Sequence, residues 1–442
     1  DKNNIQYGTG SGSAKGYNYL TKKEESFSIA NGDLVISSSQ PRAALLKVLF
    51  EPKTKLADSV TYDITAWAIP YAFGLKSYAT QQAVTLSPPA KMPGFKINSE
   101  PDGYGYVIRW QGMSSAKTVA QLLKKDIRLH FAKEPFTSGE NSFGRGSIII
   151  LKNGNEKFGS GFWQMVSDVC NTNKTELIPV ASGMVDQGLD FGSPSVSIIK
   201  KVNVAMLTGE NIASTAAGEV WNFFDNELKY KITLVNAGNF ADADWSDIDV
   251  LIMPDGNYKF LKEKSAAAKM EGWIKDGGKV IAIEGAVAQL SKQSWSAIHS
   301  KYDSTAKDTT KKDPYIFLKS YESRERNRLS DNTPGAIYKV DIDNTHPLMF
   351  GYPDHYYTLK MDTAVYKFIE KGGWNTGVIK KDSQVAGFVG YKLAPKLKDG
   401  LLFGVQDLGR GNIVYLSDDV LFRDFWENGK LMFCNAVFLV GE

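Results

Sequence analysis

Apolar and polar positions change their spacing several times along this chain. Residues 1–17, with Gly8-Thr-Gly-Ser-Gly-Ser-Ala-Lys-Gly16, show no hydrophobic period and read as a flexible linker. Residues 18–103 read as a strand-rich section. Short strands at 26–29 and 34–37 flank Asn31-Gly32, two residues that tolerate the positive φ of a hairpin turn. Residues 43–50 are a nearly continuous apolar run that suits either a helix or a buried strand. From 104 to 195 the pattern predicts strands at 106–110, 127–131 and 147–151, with helices at 115–124 and 162–170, so this is read as a small α/β section.

Residues 196–442 carry the clearest alternation. Apolar runs at 202–207, 232–235, 250–253 and 279–283 predict buried strands, separated by helical patterns around 220–224 and 266–275. Gly277-Gly278 closes the second of these helices. Further strands are expected at 401–405 and 413–416, and a closing helix at 423–440. Strands alternating with helices of this length imply right-handed crossovers and a parallel, doubly wound sheet. A polar insertion at 301–333 interrupts it, with mixed charges at 307–313 and 322–328, and reads as a solvated loop.

Composition narrows the possible functions. Among 442 residues, 52 Lys and Arg face 49 Asp and Glu, a net charge of +3 that leaves no electrostatic footprint for nucleic acid. No apolar run reaches the roughly 18 residues of a membrane helix, so no membrane span is expected. Two cysteines, Cys170 and Cys434, sit in apolar helical settings and read as core residues rather than a disulfide or metal pair. The chain begins at Asp1 without a methionine or signal peptide, and a processed or excised product is the expectation.

In a doubly wound sheet, ligands collect at the C-terminal strand ends. Those ends carry Gly209, Asp255 with Gly256, Glu284 with Gly285, and Asp418 with Asp419, which are the candidate ligand-binding residues. The Ile283-Glu284-Gly285-Ala286 turn lies where an amidotransferase-like sheet bends its nucleophile outward, and it has the small neighbours that such an elbow needs. Its central residue is a glutamate, and neither cysteine is close in sequence. The histidines, His130, His299, His346 and His355, stand in no His-x-Glu pair that would activate a nucleophile. None has a glutamate three residues later, and His130 with Glu134 on a strand is poorly spaced to chelate zinc. No catalytic and no metal-ligating residue is therefore assigned. N-capping of the last helix is the commoner work for Asp418 and Asp419. Gly159-Ser-Gly161 is read as a turn.

Several strings resemble one family. Phe50-Glu-Pro52, the stretch 58–74 with Asp-Ile-Thr-Ala-Trp at 63–67, Ser182-Gly183 with 188–193, 204–209, and 409–426 ending Ser417-Asp-Asp-Val-Leu-Phe-Arg-Asp-Phe-Trp426 are similar to the region following the peptidase domain in large exported bacterial zinc carboxypeptidases. The resemblance spans roughly 40–440 and implies a flavodoxin/amidotransferase-like main domain. It also implies that zinc and the catalytic glutamate reside in an upstream peptidase domain, so no cofactor is expected in this chain. The implied partners are that upstream domain and a peptide or glycan. The implied location is the periplasm, the cell surface or the exterior. The expected role is accessory, supporting or gating the peptidase. The alternative is an amidotransferase-like or sugar-processing hydrolase working through Asp255, Glu284 and Asp418. A third reading has exposed Trp67, Trp110 or Trp374 gripping a ligand.

Overall fold

The computed structural model describes residues 3–53, 64–88, 97, 103–302, 315, 318, 320–381 and 383–442. Residues 58–63 of the family-like stretch and 307–313 of the polar insertion lie outside the described residues. Within that insertion, Arg324–Leu329 forms a short helix.

The expected linker is instead part of a sheet. Gly12–Asn18 pairs antiparallel with Lys23–Ile29 in a register running from Gly12 opposite Ile29 to Asn18 opposite Lys23, and Tyr78–Ala79 pairs on its other side. Most of the glycines that suggested freedom serve close approach, though not Gly12: a Cβ at Gly16 would collide with the Ala79 carbonyl. A turn does form around Asn31-Gly32, closed by the Asp33 amide donating to the Ala30 carbonyl. Its arms do not pair, however, because Leu34–Val35 joins Gly8–Thr9. The ambiguous apolar run is a helix, Ala43–Phe50.

The second section also departs from expectation. Its five strands run in the order Ile178–Val180, Gly105–Ile108, Ile148–Leu151, Leu129–Ala132, Val196–Ile199, and every neighbouring pair is antiparallel. Strand–helix alternation misled here because Ile148–Leu151 inserts between the two strands that the helix Met113–Lys124 connects. Adjacency in sequence did not become adjacency in the sheet. The last strand, Val196–Ile199, lies wholly beyond residue 195.

The main sheet has ten strands. Five are parallel, in the order Ile232–Asn236, Val204–Thr208, Val250–Met253, Lys279–Ile283, Gly411–Leu416. The expected all-parallel sheet is then corrected, since the remaining strands are antiparallel: Gly400–Leu408, Gly373–Ile379, Gly335–Ile342 and His355–Lys360, with Gln384–Phe388 beside Gly335–Ile342. Alternate residues of the parallel strands enter two cores. Met206, Ile252, Ile281 and Val414 pack toward Phe223, Phe224 and Phe433, while Leu207, Leu251, Val280 and Ile413 pack toward Met270, Ile274 and Leu290. Burial on both faces explains the apolar runs of the inner strands, whereas Ile232–Asn236, expected to be buried, is a partly exposed edge strand.

The three sections share one apolar core. Phe131 of the small sheet lies 6.4 Å from Phe350, and the Trp110 indole N–H donates to Asn435 Oδ1 at 2.6 Å on the closing helix Glu427–Phe438. Tyr71 packs 4.8 Å from Tyr357, ring to ring. Thr65, within the Asp-Ile-Thr-Ala-Trp string, bonds the Gly335 carbonyl and accepts from the Phe388 amide at 2.8 Å. Cys170 and Cys434 are both buried in helices.

Candidate functional site

The strand Lys279–Ile283 is buried throughout, and the helix Gly285–Leu290 must turn back onto the sheet to bury Ala286, Val287 and Leu290. That reversal falls on one residue. Glu284 takes φ 49° and ψ −113°, a conformation that L-residues adopt at a cost of order 1–3 kcal/mol. Its amide donates to the Leu416 carbonyl at 2.9 Å, which ties the elbow to the neighbouring strand. A Cβ at Gly285 would collide with Asp255 Oδ1, so glycine here lets that carboxylate lie against the elbow. The Gly285 N–H donates to that same oxygen at 3.1 Å.

Three strand ends supply the surroundings. Asp255 follows Val250–Met253 and Asp418 follows Gly411–Leu416. Lys360 ends the antiparallel strand His355–Lys360, and Asp362 lies two residues further on. Lys360 is fully buried; its ammonium donates to Asp418 Oδ1 at 2.6 Å and also pairs with Asp362. Asp418 is 2% exposed and accepts from Thr358 Oγ1 at 2.8 Å. Burial pulls the Lys360 pKa down, but Asp362 and Asp418 overcome it and hold the ammonium above its ordinary range.

Carboxylates outnumber cations around the elbow. Burial, and then the charges of Asp362, Asp255 and Asp418, push the Glu284 carboxyl up to about 8 against the opposing pull of Lys360. At neutral pH Glu284 is therefore mostly a neutral acid, able to donate a hydrogen bond. A second acid pair stands beside it. Burial and a hydrogen bond with Glu219 hold Asp419 well above the carboxylate range, with Glu284 adding to the effect. Glu219 accepts from the Arg423 amide at 2.8 Å and Asp419 from the Leu421 amide at 2.8 Å.

Asp255, Glu284, Gly285, Asp418 and Asp419 thus converge. Gly256 borders them, its carbonyl accepting from Gln289 Nε2 at 2.6 Å. Gly209 lies further out: at φ 104° it closes its strand against Asn236, where a Cβ would come within 2.7 Å of Oδ1. The capping role expected of Asp418 and Asp419 is corrected, since Trp426 precedes the last helix with no side-chain cap. Lys360, Asp362, Thr358 and Glu219 escaped sequence reasoning. A signal did exist in Tyr356, Thr358 and Lys360, which alternate onto one strand face and put a lysine at a core position.

A cleft of about 490 Å³ lies beside the elbow helix, lined by Ala288, Ser291, Thr363, Ala364 and Tyr366 among others. Tyr366 belongs to both places. Its ring borders the cleft, while its buried hydroxyl has no partner among the described residues, and its pKa is raised by burial and then by Asp362. Among the described residues, no three His, Cys, Asp or Glu side chains are placed to share a metal ion. Of the three tryptophans considered for ligand stacking, Trp110 is buried and Trp67 is half-buried with its indole on the Val48 carbonyl, while Trp374 is 54% exposed.

No protein-family model and no curated protein matches the chain. Solved structures do show likenesses. A ThuA-like protein of Bacteroides uniformis is similar at 12% identity and TM-score 0.31, over 53% of this chain and 89% of that one. A glutamine amidotransferase of Thermotoga maritima is similar at 8% identity and TM-score 0.32, over 53% and 96%. A β-galactosidase of Rahnella sp. R3 is similar at 12% identity and TM-score 0.29, over 53% of this chain and 30% of that one. At this level the likenesses bring neither an activity nor a site to this chain, whose fold is α/β.

Proposed function

We propose that this chain is a non-catalytic accessory and binding region of a zinc-carboxypeptidase-like exported bacterial protein, with an amidotransferase-like domain whose elbow has lost its nucleophile. The observation that carries the loss of chemistry is the bond from the Gly285 N–H to Asp255 Oδ1 at 3.1 Å. An elbow uses the amide after its nucleophile to hold a developing oxyanion. Here that amide already meets a carboxylate, whose charge would repel an oxyanion. Glu284 itself is neutral near pH 7 and so is a poor nucleophile or base. What remains is a partly buried polar floor that suits binding of a peptide or glycan. The strings at 50–52, 58–74 and 409–426 support attachment to an upstream peptidase domain at the periplasm, the cell surface or outside the cell.

One observation favours a second reading, a hydrolase. A carboxyl held near 8 among other carboxylates has the protonation state of a general acid. One experiment separates the two. The purified chain is assayed against ester, amide, glycoside and C-terminal peptide substrates, with and without zinc, beside Glu284→Gln and Asp255→Asn. The accessory reading expects no turnover by any of the three. Turnover that disappears in Glu284→Gln would establish the hydrolase, and zinc-dependent release of C-terminal residues would sink the assignment altogether.

A further inference from the structure

Away from the elbow, a cavity of about 300 Å³ opens at the seam between the small sheet and the main domain. Its walls include Arg109, Arg145, Ser147 and Asn344, over the apolar surfaces of Trp110 and Tyr352. Two glycine loops seat it on Trp110. Gly146 at φ 84° would place a Cβ 2.9 Å from the indole Cδ1, and Gly351 at φ 87° would place one 2.8 Å from the Trp110 carbonyl. The frame is fixed from below. Asn435 accepts from the Trp110 indole and donates to the Leu348 and Phe350 carbonyls at 2.9 and 2.8 Å, and Tyr352 bonds the Asn428 carbonyl.

The two guanidinium groups differ in what they have left to give. Arg109 is committed: it donates to Glu176 at 2.7 Å and Asn141 at 2.9 Å, and lies over the Phe143 ring. Arg145 donates from Nη2 to Glu134 at 2.6 Å, but its Nε, shut off from solvent, has no partner among the described residues. A buried charged donor without an acceptor costs about 1–3 kcal/mol or more, so a small turn of the Arg145 side chain that brings Nε to an acceptor in the cavity would be favoured. Both acids that pair with the arginines are on the outer surface, Glu134 at 49% and Glu176 at 66% exposure. Glu134 is thus a solvated partner that an anion beside Arg145 would displace with little loss, whereas Glu176 stays on Arg109, which Asn141 and the Phe143 ring also hold.

We propose that this cavity is a binding site for a small carboxylate-bearing ligand, with Arg145 as its anchor. A carboxylate presents two coplanar acceptors that match a guanidinium edge, and with Arg109 already paired a single guanidinium balances its one charge better than the higher charge of phosphate. The volume admits a ligand at the small end of the usual range, about one amino-acid residue in size. The site owes nothing to the elbow and stands independently of the accessory reading.

The test is calorimetric titration of the full chain at low salt with N-acetylglycine, N-acetylglycinamide and inorganic phosphate. The carboxylate is expected to bind saturably, with the neutral amide and phosphate each weaker by at least about tenfold. Arg145→Gln, checked for an unchanged melting temperature, removes binding. Glu134→Gln strengthens it several-fold by releasing Nη2, an effect that a merely structural Arg145 would not produce. Equal binding of acid and amide, absence of any saturable signal at millimolar ligand, or unaltered binding in Arg145→Gln would each overturn the proposal. Phosphate binding as tightly as the carboxylate would overturn the ligand class.

Discussion

Glu284→Gln is the sharpest probe of the elbow, because it keeps the shape and removes only the titration. The folded carboxyl is pushed to about 8 from an ordinary value of 4.5. A group with a raised folded pKa contributes stability that is fully present below its unfolded value and is lost as pH rises through its folded value. For Glu284 the window is therefore pH 4.5 to 8. Each unit within it costs about 1.36 kcal/mol, so the wild-type chain at pH 7 has lost up to about 3 kcal/mol relative to pH 4.5. The carboxyl is partly open to water, and screening lowers this toward about 2 kcal/mol. Glutamine never ionises, so the variant should come close to the parent near pH 4.5 and exceed it by about 2 kcal/mol at pH 7, with the gap widening further to pH 8. Urea midpoints of both proteins, measured from pH 5 to 9 with slopes compared, give the difference curve, in which the titrations of unaltered groups largely cancel. A stability difference that does not vary with pH, or one that favours the parent at high pH, would refute the placement of Glu284 among Asp255, Asp362 and Asp418.

Two further substitutions test how the cluster is held. Lys360→Met leaves Asp418 buried without its cation and should cost about 3–5 kcal/mol, whereas Lys360→Met with Asp418→Leu should recover part of that; urea midpoints that show no loss in the single variant would contradict the buried pair. Gly285→Ala drives a methyl group into Asp255 Oδ1, so it should lower the urea midpoint sharply, and the added change Asp255→Ala should restore it. A single variant as stable as the parent would show that the elbow can relax away from Asp255.

The parallel half of the main sheet was legible for a physical reason. A strand buried on both faces must be apolar almost throughout, and 204–207, 250–253 and 280–283 write that requirement directly into the chain. Direction is not written in the same way. Gly400–Leu408 and Gly411–Leu416 were recognisable as strands, but their antiparallel pairing rests on the two-residue connection Gly409-Arg410, where Gly409 sits at φ 65°. That is a hairpin signal overlooked among longer connections. The N-terminal glycines failed in the opposite sense. Composition alone cannot distinguish a glycine that is free from one that another backbone presses against, and Gly16 is of the second kind.

The site divides along the same line. Its acidic half, Asp255, Glu284, Asp418 and Asp419, lies at the ends of strands that the sequence announces, so topology alone gathered it. Its cationic member, Lys360, comes from an antiparallel strand whose aromatic and threonine residues hide their phase, and only the ladder to Gly335–Ile342 brings that strand into the sheet. The omission matters because the acids alone would read as a cluster of repelling charges with no reason to persist. With Lys360 neutralising Asp418 and Asp362, and with Glu284 and Asp419 retaining protons, the same residues form a polar floor that can stay buried. The elbow's strained backbone then needs no nucleophile to explain it: the strand must end and its helix must return within one residue, and Glu284 occupies the position that this reversal creates.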